Sequence, residues 1–396
     1  MKTQWMTKHV CVSLGALISI LFTIEAFSAP VRPTDDTLVI ATVPQSSIGA
    51  ASPLRTAQAA LARDPNNVAL AVAAARIGIE EGRTQADPRF YGQAQAALAP
   101  WWTDADAPEG IRVLRAVIQQ AFHDFSAAES DLNAILQQSP GNAQARLSRA
   151  FVRMVTGNPS GASEDCANLP RRIEPIIAQI CGARVEALTG SANKAYARLE
   201  RAFAGTPPAQ PSMHKFAMVV LADLAVALGR TAEADRLYAE AAAMGTPEAS
   251  ILAAYADLLL DLGRPADALK LLDGKGEADI LILRRAIAAK RLNDPRLESW
   301  SAILAERFAA AEAGGVRVHL REEARFRLEV LGEARDALEL ARANWQVQKE
   351  PIDARLLIEC AITAGQPDAA KDVIDFVTRT GIIDARIAQS LIRLKE

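Results

Sequence analysis

Residues 222–238 read ADLAVALGRTAEADRLY, and residues 256–272 read ADLLLDLGRPADALKLL. The two stretches agree in residue type at most positions and repeat at an interval of about 34 residues. Each places a small residue first, Gly seven later, Ala five after that and a bulky residue four further on: Ala222, Gly229, Ala234, Tyr238, then Ala256, Gly263, Ala268, Leu272. Apolar residues at three- and four-residue spacing on both sides of the Gly predict two amphipathic helices. The Gly can take the left-handed conformation that ends the first helix. The small residues let the paired helices approach, and the bulky one fills the space towards the next pair.

Outward from these stretches the same four-residue phase recurs. It reads Ala150, Gly157, Ala162, Cys166 and Ala183, Gly190, Ala195, Leu199, with looser copies beginning at Ala116, Arg325 and Ile358. In the copy from Ala116 the Gly is replaced by His123. Most successive starts keep the same interval. Period and punctuation together resemble the tetratricopeptide repeat, a helix, tight turn and helix unit. The resemblance runs over about residues 54 to 380, although the large aromatic expected early in each first helix is mostly missing. Residues 84 to 92 displace one second helix, and residues 278 to 315 fit only as a longer, divergent pair. A last helix from Asp384 to Glu396 suits the polar-backed cap such arrays need. The resemblance implies an all-α, right-handed α-solenoid of antiparallel helix pairs, and a concave groove lined by the first helix of every pair.

The composition agrees with a helical array. Half of the 396 residues are apolar but only 5% are aromatic, so the core must be filled by Ala and Leu. A formal net charge of −3 lacks the concentrated basic footprint of a nucleic-acid binder. Lys2 and Lys8, an apolar run from Val10 to Ile24 and then Ala26-Phe27-Ser28 follow the order of a secretory signal peptide. The expected organisation is therefore a signal over residues 1–28, a Pro-rich linker or N-terminal arm over 29–53 and the repeat domain over 54–396, in a periplasmic or secreted protein. The apolar run is shorter than the ~20 residues a membrane span needs.

Export leaves three cysteines, Cys166, Cys181 and Cys360. Cys166 falls on the second helix of one repeat and Cys181 on the first helix of the next, so a disulfide stapling the two repeats and a pair of buried thiols are both open readings. No His or Cys pair has metal-ligand spacing, and no nucleophile elbow or phosphate-binding glycine loop occurs. No cofactor is expected. Arg112 and Arg115 recur one period on as Arg146 and Arg149, and Asp131 recurs as Asp165. A repeated interhelical ion pair and an anion-binding strip both fit that recurrence.

By phase, the groove should receive Val113, Val117, Leu147, Phe151, Ile180, Arg184, Val219, Asp223, Asp257 and Phe326, with Arg355 and Glu359 continuing the series. Its N-terminal half is apolar and charge begins at Arg184, which suits a partner helix or extended apolar segment. The expected function is a non-catalytic periplasmic scaffold for protein partners, with a polysaccharide or peptidoglycan module as the alternative. A hydrolase would need two acids converging in one cleft, and Asp223 and Asp257 are the in-phase pair.

Overall fold

The computed structural model describes residues 52–205, 210–246, 248–314 and 319–396. The signal and almost all of the linker lie outside the described residues. Twenty α-helices and no strand occur among the described residues. A first helix, α1 (Pro53–Arg63), leads into nine antiparallel pairs and a final helix. The pairs are α2 (Val68–Gln85) with α3 (Pro88–Ala97), α4 (Glu109–Ala121) with α5 (Phe125–Gln138), and α6 (Ala143–Val155) with α7 (Pro159–Ala167). Next come α8 (Pro175–Ala187) with α9 (Ala192–Gly205), α10 (Pro211–Ala227) with α11 (Thr231–Ala243), and α12 (Ala249–Asp261) with α13 (Pro265–Leu272). The C-terminal pairs are α14 (Asp279–Leu292) with α15 (Leu297–Ala313), α16 (Leu320–Arg325) with α17 (Ala334–Val347), and α18 (Pro351–Thr363) with α19 (Lys371–Thr380), followed by α20 (Ala385–Arg393). None of these helices is long and apolar enough to cross a membrane.

Local sequence explains the boundaries. Second helices start on Pro159 and Pro265, whose missing N–H is no loss in a first turn. Asn142 and Asn158 cap α6 and α7 through their side-chain oxygens. The repeated Gly works as the pattern requires: Gly263 ends α12 at φ +69°. His123 occupies the same place after α4 at φ +59° and is held there by its ring stacking on Phe125, 5.5 Å between centroids.

The phase-keeping small residues Ala150, Ala183, Ala222 and Ala256 are fully buried, as are Ala162, Ala195, Ala234 and Ala268 opposite them. The bulky positions Leu199, Tyr238 and Leu272 are buried between repeats. The recurring charges form interhelical ion pairs. Arg115 binds Asp131 through Nε and Nη2 (2.7 and 2.6 Å) and donates from Nη1 to the carbonyls of Trp101, Trp102 and Asp104. One repeat on, Arg149 binds Asp165 in the same fork (2.9 and 2.5 Å), and Arg153 adds a bond at 3.0 Å.

The array winds so tightly that both ends meet its middle. Near the N-terminus, α2 packs against α12, with Arg83 bonded to Glu248. From the other end, the Lys349 N–H donates to the Val155 carbonyl (2.7 Å), and Gln348 Nε2 lies 3.1 Å from His123 Nε2. Gly190 approaches the backbone of Gly381 so closely that a Cβ there would sit 3.0 Å from the Gly381 oxygen. Small residues at the turns permit this approach, which converts the expected open groove into a lumen covered over part of its length.

Candidate functional site

First helices α6, α8, α10 and α12 form one wall of a cavity of about 260 Å³. Its roof comes from far along the chain: Glu350, Pro351 and Ile352 at the start of α18, and Asp384 and Arg386 at the start of α20. Met154, Val155, Leu188, Val220, Leu224 and Leu258 make the wall largely apolar. A second cavity of about 280 Å³ shares Asp257, Ile352 and Arg386 with it and continues towards Asp261, Arg291, Arg355 and Glu359.

The structure brings Arg184, Asp223 and Asp257 together on the first cavity, as their common phase predicts. Asp257 is saturated. Arg284 grips it at 3.1 and 2.7 Å and Arg325 at 2.9 and 3.1 Å. Burial alone would raise the Asp257 carboxyl, but these two guanidiniums overcome that and hold it far below the usual carboxylate range. Asp223 differs. Its side chain is exposed inside the array, yet the protein packed around it raises its carboxyl above the ordinary value, a hydrogen bond from the Tyr238 hydroxyl and the Arg184 charge offsetting only part of the effect. Arg184 makes no hydrogen bond or ion pair among the described residues; its guanidinium carbon lies 5.8 Å from the Phe151 ring centroid. On the roof, Arg386 is gripped by Asp384 (3.1 and 2.7 Å) and Glu350 by Arg321 (2.7 Å).

The apolar half of the expected groove stays more open. Phe151 is 38% exposed, and Val113, Val117, Leu147 and Val219 are half-buried. Two assignments are corrected. Ile180 is 3% exposed and packs in the core formed with α9 and α10, not on the groove. Four residues of helix advance ~400°, so the position four before Arg184 is rotated ~40° towards the neighbouring pair. Phe326 is 2% exposed and packs on Phe308, 5.7 Å between ring centroids. Residues Phe326–Leu331 form a π-helical turn, whose extra residue shifts the register counted back from Gly332 by one, so the buried small position is Ala324 and the groove position is Arg325. Arg325 in turn reaches both Asp257 and Glu329.

Tyr238, Glu350 and Arg386 belong to the cavity but not to the phase-derived set. Tyr238 is the bulky residue of its repeat, and its ring is buried while its hydroxyl reaches Asp223. The roof residues approach from another turn of the superhelix, and repeat phase carries no signal for that.

Cys166 and Cys181 form a disulfide, with Cα atoms 5.6 Å apart, and Cys360 is buried and free. Burial pushes the Cys360 thiol up to about 12, which keeps it protonated and unreactive. The disulfide borders an open cleft of about 850 Å³ between α7, α8 and α19. No group of three or more His, Cys, Asp or Glu side chains among the described residues is arranged to hold a metal ion.

No protein-family model matches the chain, and no curated protein matches it in sequence. Solved structures do show similarity. A thermophilic TPR protein of Thermus thermophilus aligns at 19% identity over 47% of this chain and 96% of its own, with a TM-score of 0.38. A tetratricopeptide repeat protein of Parabacteroides merdae aligns at 15% identity over 65% of this chain and 98% of its own, TM-score 0.41. The human IFIT1 dimer structure with PPP-AAAA aligns at 10% identity over 83% and 77%, TM-score 0.48. The chain's own helix pairs, their regular period and the Gly and Ala positions kept in phase make it an all-α solenoid of tetratricopeptide-repeat type.

Proposed function

We propose that the chain is an exported, non-catalytic scaffold that holds a protein partner at the mouth of its lumen. The observation that carries this reading is Phe151: a large aromatic ring, 38% exposed on a rigid first helix, beside the half-buried Val113, Val117 and Leu147. An apolar helix or extended segment of a partner would bury this strip. The residues before 52 supply the reason for export, through the signal pattern alone; a periplasmic role in envelope assembly follows from that reading.

Two observations favour binding over catalysis. The in-phase pair of acids is Asp223 with Asp257, and both Asp257 oxygens are taken by Arg284 and Arg325, so this pair cannot divide acid and base roles. A glycan site would need aromatic faces open to sugars, but Trp101, Trp102, Trp300 and Trp345 pack against the helix cores. The test is a photoreactive residue at position 151 in cells, with the same probe in place of the exposed Ser130 on the outer helix α5 as control. A discrete adduct from position 151 alone, identified by mass spectrometry, supports the scaffold. Equal or no adducts from both positions reject it.

A further inference from the structure

We propose that the roofed cavity between α8, α10 and the starts of α18 and α20 is a binding site for a small zwitterion, a free amino acid with an apolar side chain. This goes beyond the scaffold reading and does not depend on it.

Three features set the ligand's chemistry. First, Arg184 lines the cavity with a guanidinium that has no hydrogen-bond or ion-pair partner among the described residues. Every other arginine on this cavity or gripping its acids is committed: Arg386 to Asp384, Arg321 to Glu350 and Asp353, Arg284 and Arg325 to Asp257. A planar fork of N–H donors left over in a roofed space matches a carboxylate. Second, Asp223 accepts one hydrogen bond, from Tyr238 to Oδ1, and its Oδ2 has no donor among the described residues. Its side chain is exposed to the space inside the array and has no counter-charge in direct contact, which an ammonium would supply. Third, Val220, Leu224, Leu258 and Ile352 provide an apolar wall beside these two groups.

Size narrows the class further. A cavity of about 260 Å³ is below the ~300–1,000 Å³ of sites for drug-sized ligands. The part of it between Arg184, Asp223 and the apolar wall has the scale of one amino acid, and the adjoining cavity towards Asp261 and Arg355 is lined mainly by charges already paired with one another. The C-terminal residue of a peptide would offer Arg184 the same carboxylate, but it has no ammonium for Asp223, and the rest of its chain would have to pass the roof.

Calorimetric titration of the mature protein with L-leucine, L-methionine and L-phenylalanine at about 1 mM and above tests the site. Two analogues separate its halves: L-leucinamide lacks the carboxylate and N-acetyl-L-leucine lacks the ammonium. Each should bind unaltered protein roughly tenfold or more weakly than leucine, the usual worth of a charge-assisted hydrogen bond. In Arg184→Gln, leucine and leucinamide should bind alike; in Asp223→Asn, leucine and N-acetyl-leucine should bind alike. Failure of all three amino acids to bind overturns the proposal. Equal binding of leucine and both analogues to unaltered protein overturns it as well, and that comparison does not depend on any variant folding. N-acetyl-leucine binding as tightly as leucine would overturn it in favour of peptide C-termini. Because the readout is a purified protein with a small molecule, it is distinct from the crosslink at position 151.

Discussion

The recurring ion pairs make a quantitative prediction, because the same fork occurs twice in different surroundings. Asp165 is 1% exposed and is bound by Arg149 and Arg153, with Arg146 a further 3.6 Å away. Truncation in Asp165→Ala leaves three guanidiniums facing one another around a buried void. Arg149 keeps only Asn133, and Arg153 keeps Glu129 and the Gly161 carbonyl. Removing one partner of a buried ion pair typically costs about 3–5 kcal/mol. The Arg149 and Arg153 side chains remain 15% and 16% exposed, and water can partly solvate them. The expected loss is therefore near the lower end, about 3 kcal/mol. Asp131→Ala should cost less, about 1–2 kcal/mol. Its single arginine, Arg115, retains three backbone carbonyls at 2.7, 3.0 and 2.8 Å after the carboxylate is gone. Urea denaturation followed by circular dichroism gives both values, and amide exchange in α6 and α7 locates the first loss, since repeat arrays can open locally. Equal effects, or a cost below about 1 kcal/mol for Asp165→Ala, would refute the claim that its buried network holds these repeats together.

Other perturbations test the closure of the superhelix. Gly190→Ala forces a Cβ to φ +78° and to within 3.0 Å of the Gly381 oxygen, whereas Gly263→Ala at φ +69° meets nothing within 4 Å. Gly263→Ala should cost about 1 kcal/mol; Gly190→Ala should cost more in denaturant and loosen the contact with the C-terminal repeats, seen as faster exchange around Gly381. Burial first, and then the Arg321 charge, lower His123 from 6.5 to about 4. Its folded form then binds fewer protons than its unfolded form between those values, so stability is full above 6.5 and falls as pH drops towards 4. The His123 contribution to that fall should be at most about 2 kcal/mol given its partial exposure. Denaturation compared at about pH 7 and pH 4.5 should show a smaller fall in His123→Asn, because Asn tolerates the left-handed backbone and does not titrate. Reduction of the Cys166–Cys181 bond, which closes a loop of sequence separation 15, should cost about 3 kcal/mol; thiol titration under native conditions should count no reactive cysteine before reduction.

The repeat and its internal wiring were legible because both depend on near neighbours in sequence. A left-handed residue must follow each first helix, small residues must face each other across each pair, and an Arg in one helix reaches an Asp 16 residues on in its partner. These are local demands, so they recur with the period and can be read without coordinates. Even the exception at His123 keeps the pattern, since it takes the Gly conformation with support from Phe125. Phe326 was misplaced for a reason equally local but invisible to phase: one π turn adds a residue to the winding, and no Gly or Pro marks it.

What the period could not supply is the pitch. Pitch is the accumulated result of small rotations at every interface between pairs, and it decides whether a concave face stays open or meets another part of the array. Here Glu350 and Arg386 reach α8 and α10 from the far end of the chain, so the charged half of the groove becomes a cavity while the apolar half around Phe151 remains exposed. The division follows the chemistry of the strip. Apolar side chains on an open face cost little beyond their own hydration and are available to a large partner, whereas the half-buried Arg184 guanidinium, with no ion-pair partner among the described residues, is available to an anion. One first-helix face therefore presents two surfaces of different character: an open apolar one around Phe151 and a charged one bounded by Glu350 and Arg386. Arg184 sits at their boundary, its guanidinium against the Phe151 ring on one side and the cavity on the other.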